Sequence, residues 1–246
     1  MMWFSLKDKT KIIILINIII ILLGLIFIGY SQNDQIILNI GAGLLASGIV
    51  AIFYLIYPHI DFERDYLRFR QMGLKDIYLR RDQSQEYSEL LKKAQKNIDV
   101  LGLGLNQFRE DNESIIKEKS LNGVAVRLLV VDSKSPILSI RSYQENDLKG
   151  ETIDIPLKKL KNYAIEVNKI IDELKKGKKI QIKRYNAVPS TMIFRIDDIM
   201  FVGPYLHNLP SRTTITFKIE NNTELFKQFE NHFNELWNDT GCTFDF

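Results

Sequence analysis

Two long apolar runs, Ile12 to Tyr30 and Ile36 to Tyr57, are separated by the polar segment Ser31-Gln32-Asn33-Asp34-Gln35, and neither run contains a charged residue. Each is close to the roughly 20 residues a helix needs to cross a hydrocarbon core about 30 Å thick. The pattern predicts a transmembrane helical hairpin over residues 1–59. A cleaved signal peptide is the weaker reading, because the first run is too long, no small-residue cleavage pattern follows, and a second span comes at once.

Beyond Tyr57 the pattern changes twice. Asp61 to Met72 is charged and aromatic, which predicts a helical stalk over residues 60–73, ended by Gly73. From Leu74 apolar positions alternate between helical and strand spacing, giving one α/β domain over residues 74–246 with a mixed sheet. Helices are predicted at Gln83–Lys96, Glu110–Asn122, Leu157–Lys176 and Thr223–Trp237. Strands are predicted at Asn97–Leu105, Val124–Val131, Lys179–Tyr185 and Thr213–Glu220. Met192–Ile196 and Ile199–Val202 form a hairpin about Asp197-Asp198.

Charge gives the hairpin a direction. Lys7, Lys9 and Lys11 precede the first run, Arg64, Arg68 and Arg70 follow the second, and the connecting segment holds no Lys or Arg. By the positive-inside rule both termini face the cytoplasm, in a bacterial inner (cytoplasmic) membrane. In the second run Gly43, Ser47 and Ala51 lie four apart on one face. Small residues at that spacing let helices approach closely in lipid. This face packs either on the first span near Gly24 or between protomers of a homo-oligomer. Asn17 and Asn39 are single polar residues within the spans, available for hydrogen bonds between helices, and make no ion pathway.

Composition narrows the chemistry further. The net charge of +3 is mild and gives no reason to expect nucleic acid as a partner. One cysteine, Cys242, excludes a disulfide framework, and only His59, His207 and His232 offer imidazole. No Walker loop, complete dinucleotide fingerprint or metal-ligand spacing occurs, so no cofactor or metal is expected. The Lys-rich helix from Lys158 to Lys179 reads as a solvated face that, near a bilayer, can also meet anionic lipid.

The segment Gly123-Val-Ala-Val-Arg-Leu-Leu-Val-Val-Asp132, with the later stretch from Ser190 through Arg195-Ile-Asp-Asp-Ile-Met-Phe-Val-Gly-Pro204, resembles a single repeat of the phospholipase D superfamily over roughly residues 74–240. The resemblance implies a catalytic His-x-Lys-x-x-x-x-Asp segment, but counting back from Asp197 puts Ser190 at the histidine and Met192 at the lysine. Neither supplies an imidazole nucleophile or a fixed cation, so no catalytic residue is assigned. Arg127, Arg184, Tyr185, Ser190, Arg195, Tyr205, His207 and Ser211 are the residues expected to hold a phosphate-bearing ligand, with cyclic nucleotide a possible one. Arg81, Arg141, Thr191 and Arg212 lie in nearby polar segments. Arginine suits bidentate phosphate binding; the competing reading is that each Arg pairs with a nearby carboxylate. Two spans carrying such a domain resemble, in layout, bacterial antiphage effectors. The expected function is a non-catalytic sensor-effector; the alternative is a membrane-bound phosphodiesterase with a non-standard site.

Overall fold

The computed structural model describes residues 2–31, 34–81, 83–138 and 154–246 and divides into two units, residues 1–68 and 69–246. Asp82, Arg141 and the rest of 139–153 lie outside the described residues.

The first unit is the helical pair. α1 (Met2–Tyr30) and the start of α2 (Gln35–Met72) contain stretches long and apolar enough to cross a membrane, Lys11–Tyr30 and Gln35–Leu55. Asp34 caps α2, its carboxylate accepting from the amides of Ile36 at 2.9 Å and Ile37 at 3.3 Å. The two helices meet along Gly24, Gly41 and Gly48. A methyl group on Gly24 would lie 2.7 Å from the Leu45 nitrogen and 2.8 Å from the Gly41 oxygen. The small-residue face named above is a different one. Gly43 and Ser47 are exposed in this chain, and Gly43 has nothing within 4 Å of its missing side chain among the described residues. Gly43, Ser47 and Ala51 therefore do not form the contact with Gly24: Gly41 and Gly48, seven apart, carry it on an adjacent face. Asn17 donates to the Ile13 carbonyl of its own helix at 2.9 Å rather than across the pair.

The second unit is an α/β sandwich. α2 ends at Met72, where Gly73 takes a positive φ of 101°. The strands are β1 (Leu74–Tyr78), β2 (Asn97–Gly102), β3 (Ala125–Val131), β4 (Gln181–Tyr185), β5 (Thr191–Ile196), β6 (Ile199–Pro204), β7 (Thr216–Glu220) and β8 (Thr243–Asp245). They form one eight-stranded mixed sheet in the order β1-β7-β6-β5-β2-β3-β4-β8. β2, β3 and β4 are parallel, and every other pairing is antiparallel. We call the edge where β2, β3 and β4 end the upper edge and the edge where they begin the lower one.

Both sheet faces are covered, which explains the near-continuous apolar character of β3 and β6. α3 (Ser84–Lys93), α4 (Asn106–Leu121) and α5 (Asp154–Leu174) each run down to the lower edge and lead into the next parallel strand. They bury Leu91, Ile116, Leu157, Leu160 and Val167 against Val100, Leu128, Phe194 and Phe201. On the other face α6 (Glu224–Asn238) places Phe226, Phe233 and Trp237 at helical spacing against Leu129, Ile193 and Met200. Thr223 caps α6 by accepting from the Phe226 amide. β1 and β8 were not anticipated from the pattern.

Candidate functional site

The strand registers align one row of residues along the upper part of the sheet, on the face covered by α3, α4 and α5. Tyr78 pairs with Thr216, Gly203 with Met192, Gly102 with Val130, Val130 with Arg184, and Arg184 with Phe244. The adjacent pairs Val202–Phe217 and Leu101–Ile193 make the row continuous from Thr216 to Gly203 and from Met192 to Gly102. Met192 is thus flanked by two glycines. Where side chains are missing from a sheet face, other groups can lie close to the backbone.

Arg81 uses that space. Its Nη2 donates to the Thr214 hydroxyl at 3.1 Å and approaches the Gly203 carbonyl at 3.5 Å, and its guanidinium lies 5.2 Å from the centre of the Tyr205 ring. A methyl group on Gly203 would come within 3.2 Å of Nη2 and 2.9 Å of the Ile215 carbonyl. The Tyr205 hydroxyl reaches Gly102, where a methyl would stand 3.8 Å from it. The Arg81 backbone is fixed as well: its amide donates to the Arg212 carbonyl and its carbonyl accepts from the Tyr87 hydroxyl at 2.9 Å.

Buried hydroxyls bracket this arrangement. Thr216 is fully buried, and its hydroxyl has no hydrogen-bond partner among the described residues. Tyr185, at the upper end of β4 on the opposite face, is 1% exposed, and its hydroxyl likewise has no partner among the described residues. Burial holds the Tyr185 phenol well above its ordinary pKa, and the Tyr205 phenol adds to the shift. A buried polar group left unpaired costs about 1–3 kcal/mol, so two at one edge call for a ligand or for water. α4 also begins here. Leu105, at φ 52°, precedes it, and no side chain caps its first turn among the described residues. Its first amides are the kind of donors that suit an anion.

The structure sorts the sequence-derived candidates into two groups. Arg184, Tyr185, Ser190, Tyr205, His207 and Ser211 all fall at the upper edge or on its loops. Ser190 and His207 are exposed, and the Ser190 carbonyl accepts from the Tyr205 amide at 3.1 Å. Arg184 approaches Asp132 at 3.5 Å and donates to the Asp245 carbonyl at 3.3 Å, while its buried Nε has no partner among the described residues.

Arg127 and Arg195 lie elsewhere, towards the lower edge on the face under α6. Asp99, 2% exposed, accepts from Arg127 Nε at 2.6 Å and Nη2 at 2.9 Å and pairs with Arg195 at 3.4 Å. Arg195 also pairs with Glu230 at 2.6 Å, and Arg127 donates to Asn234 at 3.0 Å. Two arginines and two carboxylates thus neutralise one another. The expectation that Arg127 and Arg195 join the other site residues does not hold, because carboxylates engage them at the other end of the sheet. Asp197 serves the backbone, its carboxylate accepting from the amides of Gln95, Lys96 and Asn97 at 2.7–2.8 Å. Arg81, Thr214 and Thr216 were not among the selected site residues. The available signal was a polar Thr216 at a strand position that turns out to be covered.

No family model matches the chain, and no curated protein matches it. Solved structures of similar shape include TrmBL2, an archaeal chromatin protein with a novel mode of DNA binding. It is 17% identical, with a TM-score of 0.41, over 80% of this chain and 68% of that one. NucT from Helicobacter pylori is 11% identical, with a TM-score of 0.40, over 70% of this chain and 98% of that one. Likeness this distant carries no detail of chemistry. It does correct one expectation: a DNA-binding protein stands among the similar structures, so nucleic acid is not excluded as a partner.

Proposed function

We propose that the chain is a membrane-anchored, non-catalytic sensor whose α/β domain binds a phosphate-bearing ligand at the upper edge. Ligand occupancy would then control how the helical pair assembles or perturbs the bilayer. The observation that carries the reading is the Thr216–Gly203–Met192–Gly102 row, with the Arg81 guanidinium laid over it and a buried Thr216 hydroxyl that has no partner among the described residues. A guanidinium and neutral hydroxyl donors suit an anion rich in oxygen. Ser190 and Met192 stand where the phospholipase D motif has its histidine and lysine, and neither side chain supplies that nucleophile or its cation. The layout resemblance to two-span antiphage effectors makes a cyclic nucleotide the first ligand to try, and a short oligonucleotide the second.

A sensor needs unequal affinity for its two states, since a ligand that binds both equally shifts neither. The test is thermal stability of the full chain in nanodiscs against cyclic dinucleotides, cyclic oligonucleotides, short single strands and phospholipid head groups. Specific stabilisation, present in the parent and lost in Arg81→Ala, supports the reading. Turnover of any of these compounds that disappears in His207→Ala favours a phosphodiesterase instead. A folded chain that no compound stabilises sinks the ligand site.

A further inference from the structure

The lower edge carries a second surface. Three parallel strands begin there, and lysines stand at or just beyond the ends of the helices that precede them. Lys92 and Lys93 close α3, and Lys175, Lys176, Lys178 and Lys179 follow α5. These six are exposed, and Lys92, Lys93, Lys175, Lys176 and Lys178 have no ion pair among the described residues. Of the acidic groups nearby, Asp172 pairs with Lys179 at 2.8 Å, Glu173 with Lys169 at 3.9 Å and Asp198 with Lys96 at 4.0 Å, Asp197 accepts from backbone amides, and Glu118 is exposed in the last turn of α4.

The lysines are held together by contacts specific to this fold. The fully buried Ser120 hydroxyl, at the end of α4, donates to the Lys178 carbonyl, and the Lys178 amide returns a bond to the Ser120 carbonyl at 2.9 Å. Gly177, at φ 101°, sits so close that a methyl group would lie 2.5 Å from that carbonyl. Lys119, in the last turn of α4, donates to the Lys92 carbonyl. Lysine at a helix C-terminus is ordinary, since it complements the helix dipole. That preference gives no reason for Leu174, 60% exposed, to stand beside the lysine loop. An apolar side chain beside flexible ammonium groups suits a surface with an anionic layer over hydrocarbon.

The chain enters the domain at this same edge. Gly73 bonds to the end of β7 there, its carbonyl accepting from the Glu220 amide at 2.9 Å. The segment just before it exposes Tyr66, Leu67, Phe69 and Met72.

We infer that the lysine edge, with Leu174, is a docking surface for the anionic head groups of the membrane in which the chain is anchored. This rests on the proposed anchor and leaves the upper edge open to ligand. The test uses the full chain with Cys242→Ser and Leu174→Cys, the new thiol carrying an environment-sensitive fluorophore. The protein is placed in nanodiscs of phosphatidylcholine alone or of phosphatidylcholine with phosphatidylglycerol.

Docking predicts a blue shift, and quenching by spin-labelled lipid, only in the anionic discs. The signal should fall in high salt, where the Debye length shrinks to about 3 Å. The docking equilibrium read from that signal should weaken by about fivefold for each lysine within reach that is replaced, tested with Lys175→Gln, Lys176→Gln, Lys178→Gln and Lys179→Gln. An unchanged spectrum in the two lipids overturns the docking surface. So does a spectrum that responds to a single-stranded oligonucleotide and not to lipid, an outcome that reassigns the lysines to nucleic acid. A separate alkaline wash of vesicles isolates the premise: release of the protein there refutes the anchor itself, whereas retention with no spectral change refutes only the docking.

Discussion

At the scale of single residues, the polar groups of the domain divide into those already satisfied and those held in reserve. Asp99 is satisfied. Replacing it by Asn leaves two arginines in a half-buried network without their shared anion, and Asp99→Asn is expected to cost about 3–5 kcal/mol, read as a lowered melting temperature. Tyr185 and Thr216 are in reserve. Tyr185→Phe and Thr216→Val each remove a buried hydroxyl that has no partner among the described residues. Each is expected to leave the ligand-free protein as stable or more so, by up to about 1–3 kcal/mol, and to reduce the stabilisation a ligand gives. A loss of stability in the empty protein would mean that water already pairs these groups.

Glu86 makes a pH-dependent contribution. Burial raises its pKa, but hydrogen bonds from Lys218 and from the Tyr78 hydroxyl outweigh this and lower it from the ordinary 4.5. A folded-state pKa below the unfolded one stabilises above pH 4.5, and that stability is lost as pH falls below 4.5 through the depressed value. Glu86→Gln should lower stability near neutral pH and flatten the acid limb of the melting profile. At this scale the sequence pointed to arginine as the phosphate-binding residue but did not say which one. Arg127 and Arg195 sit on strands as Arg184 does, and only the register that puts both opposite Asp99 separates them.

At the scale of elements, periodicity carried most of the information. The two apolar helices, the β5–β6 hairpin and the aromatic stripe of α6 follow directly from the spacing of apolar residues. β1 and β8 did not, because β1 is an edge strand with charged Lys75 and Asp76, and β8 has three residues. The helical pair shows the limit of small-residue motifs: two glycine faces lie side by side on α2, and spacing alone does not choose between them. Gly41→Leu would drive a side chain into the Gly24 carbonyl, 2.9 Å from its first carbon, and should separate the pair. Gly43→Leu meets open space in one chain. If that face joins protomers, Gly43→Leu should leave the helical pair intact and abolish cross-linking between chains in membranes. Unchanged cross-linking would remove the face from any assembly.

At the scale of the whole molecule, the α/β domain has two chemically different edges. The upper edge gathers Arg81, Arg184, two hydroxyls and a helix start that have no side-chain partner among the described residues, and the lower gathers lysines and the entry of the chain. Neither edge is contiguous in sequence. Each is assembled by strand order, so Arg81 comes to lie over Gly203, 122 residues away. The central claim is that the ligand binds at the upper edge. Hydrogen exchange on the full chain in nanodiscs, with and without the compound that stabilises it most, tests this most directly. The account predicts slower exchange at 102–109, 203–206 and 214–216, with 92–96 and 175–179 unchanged. Protection confined to the lysine edge, or protection at neither edge despite stabilisation, would contradict it.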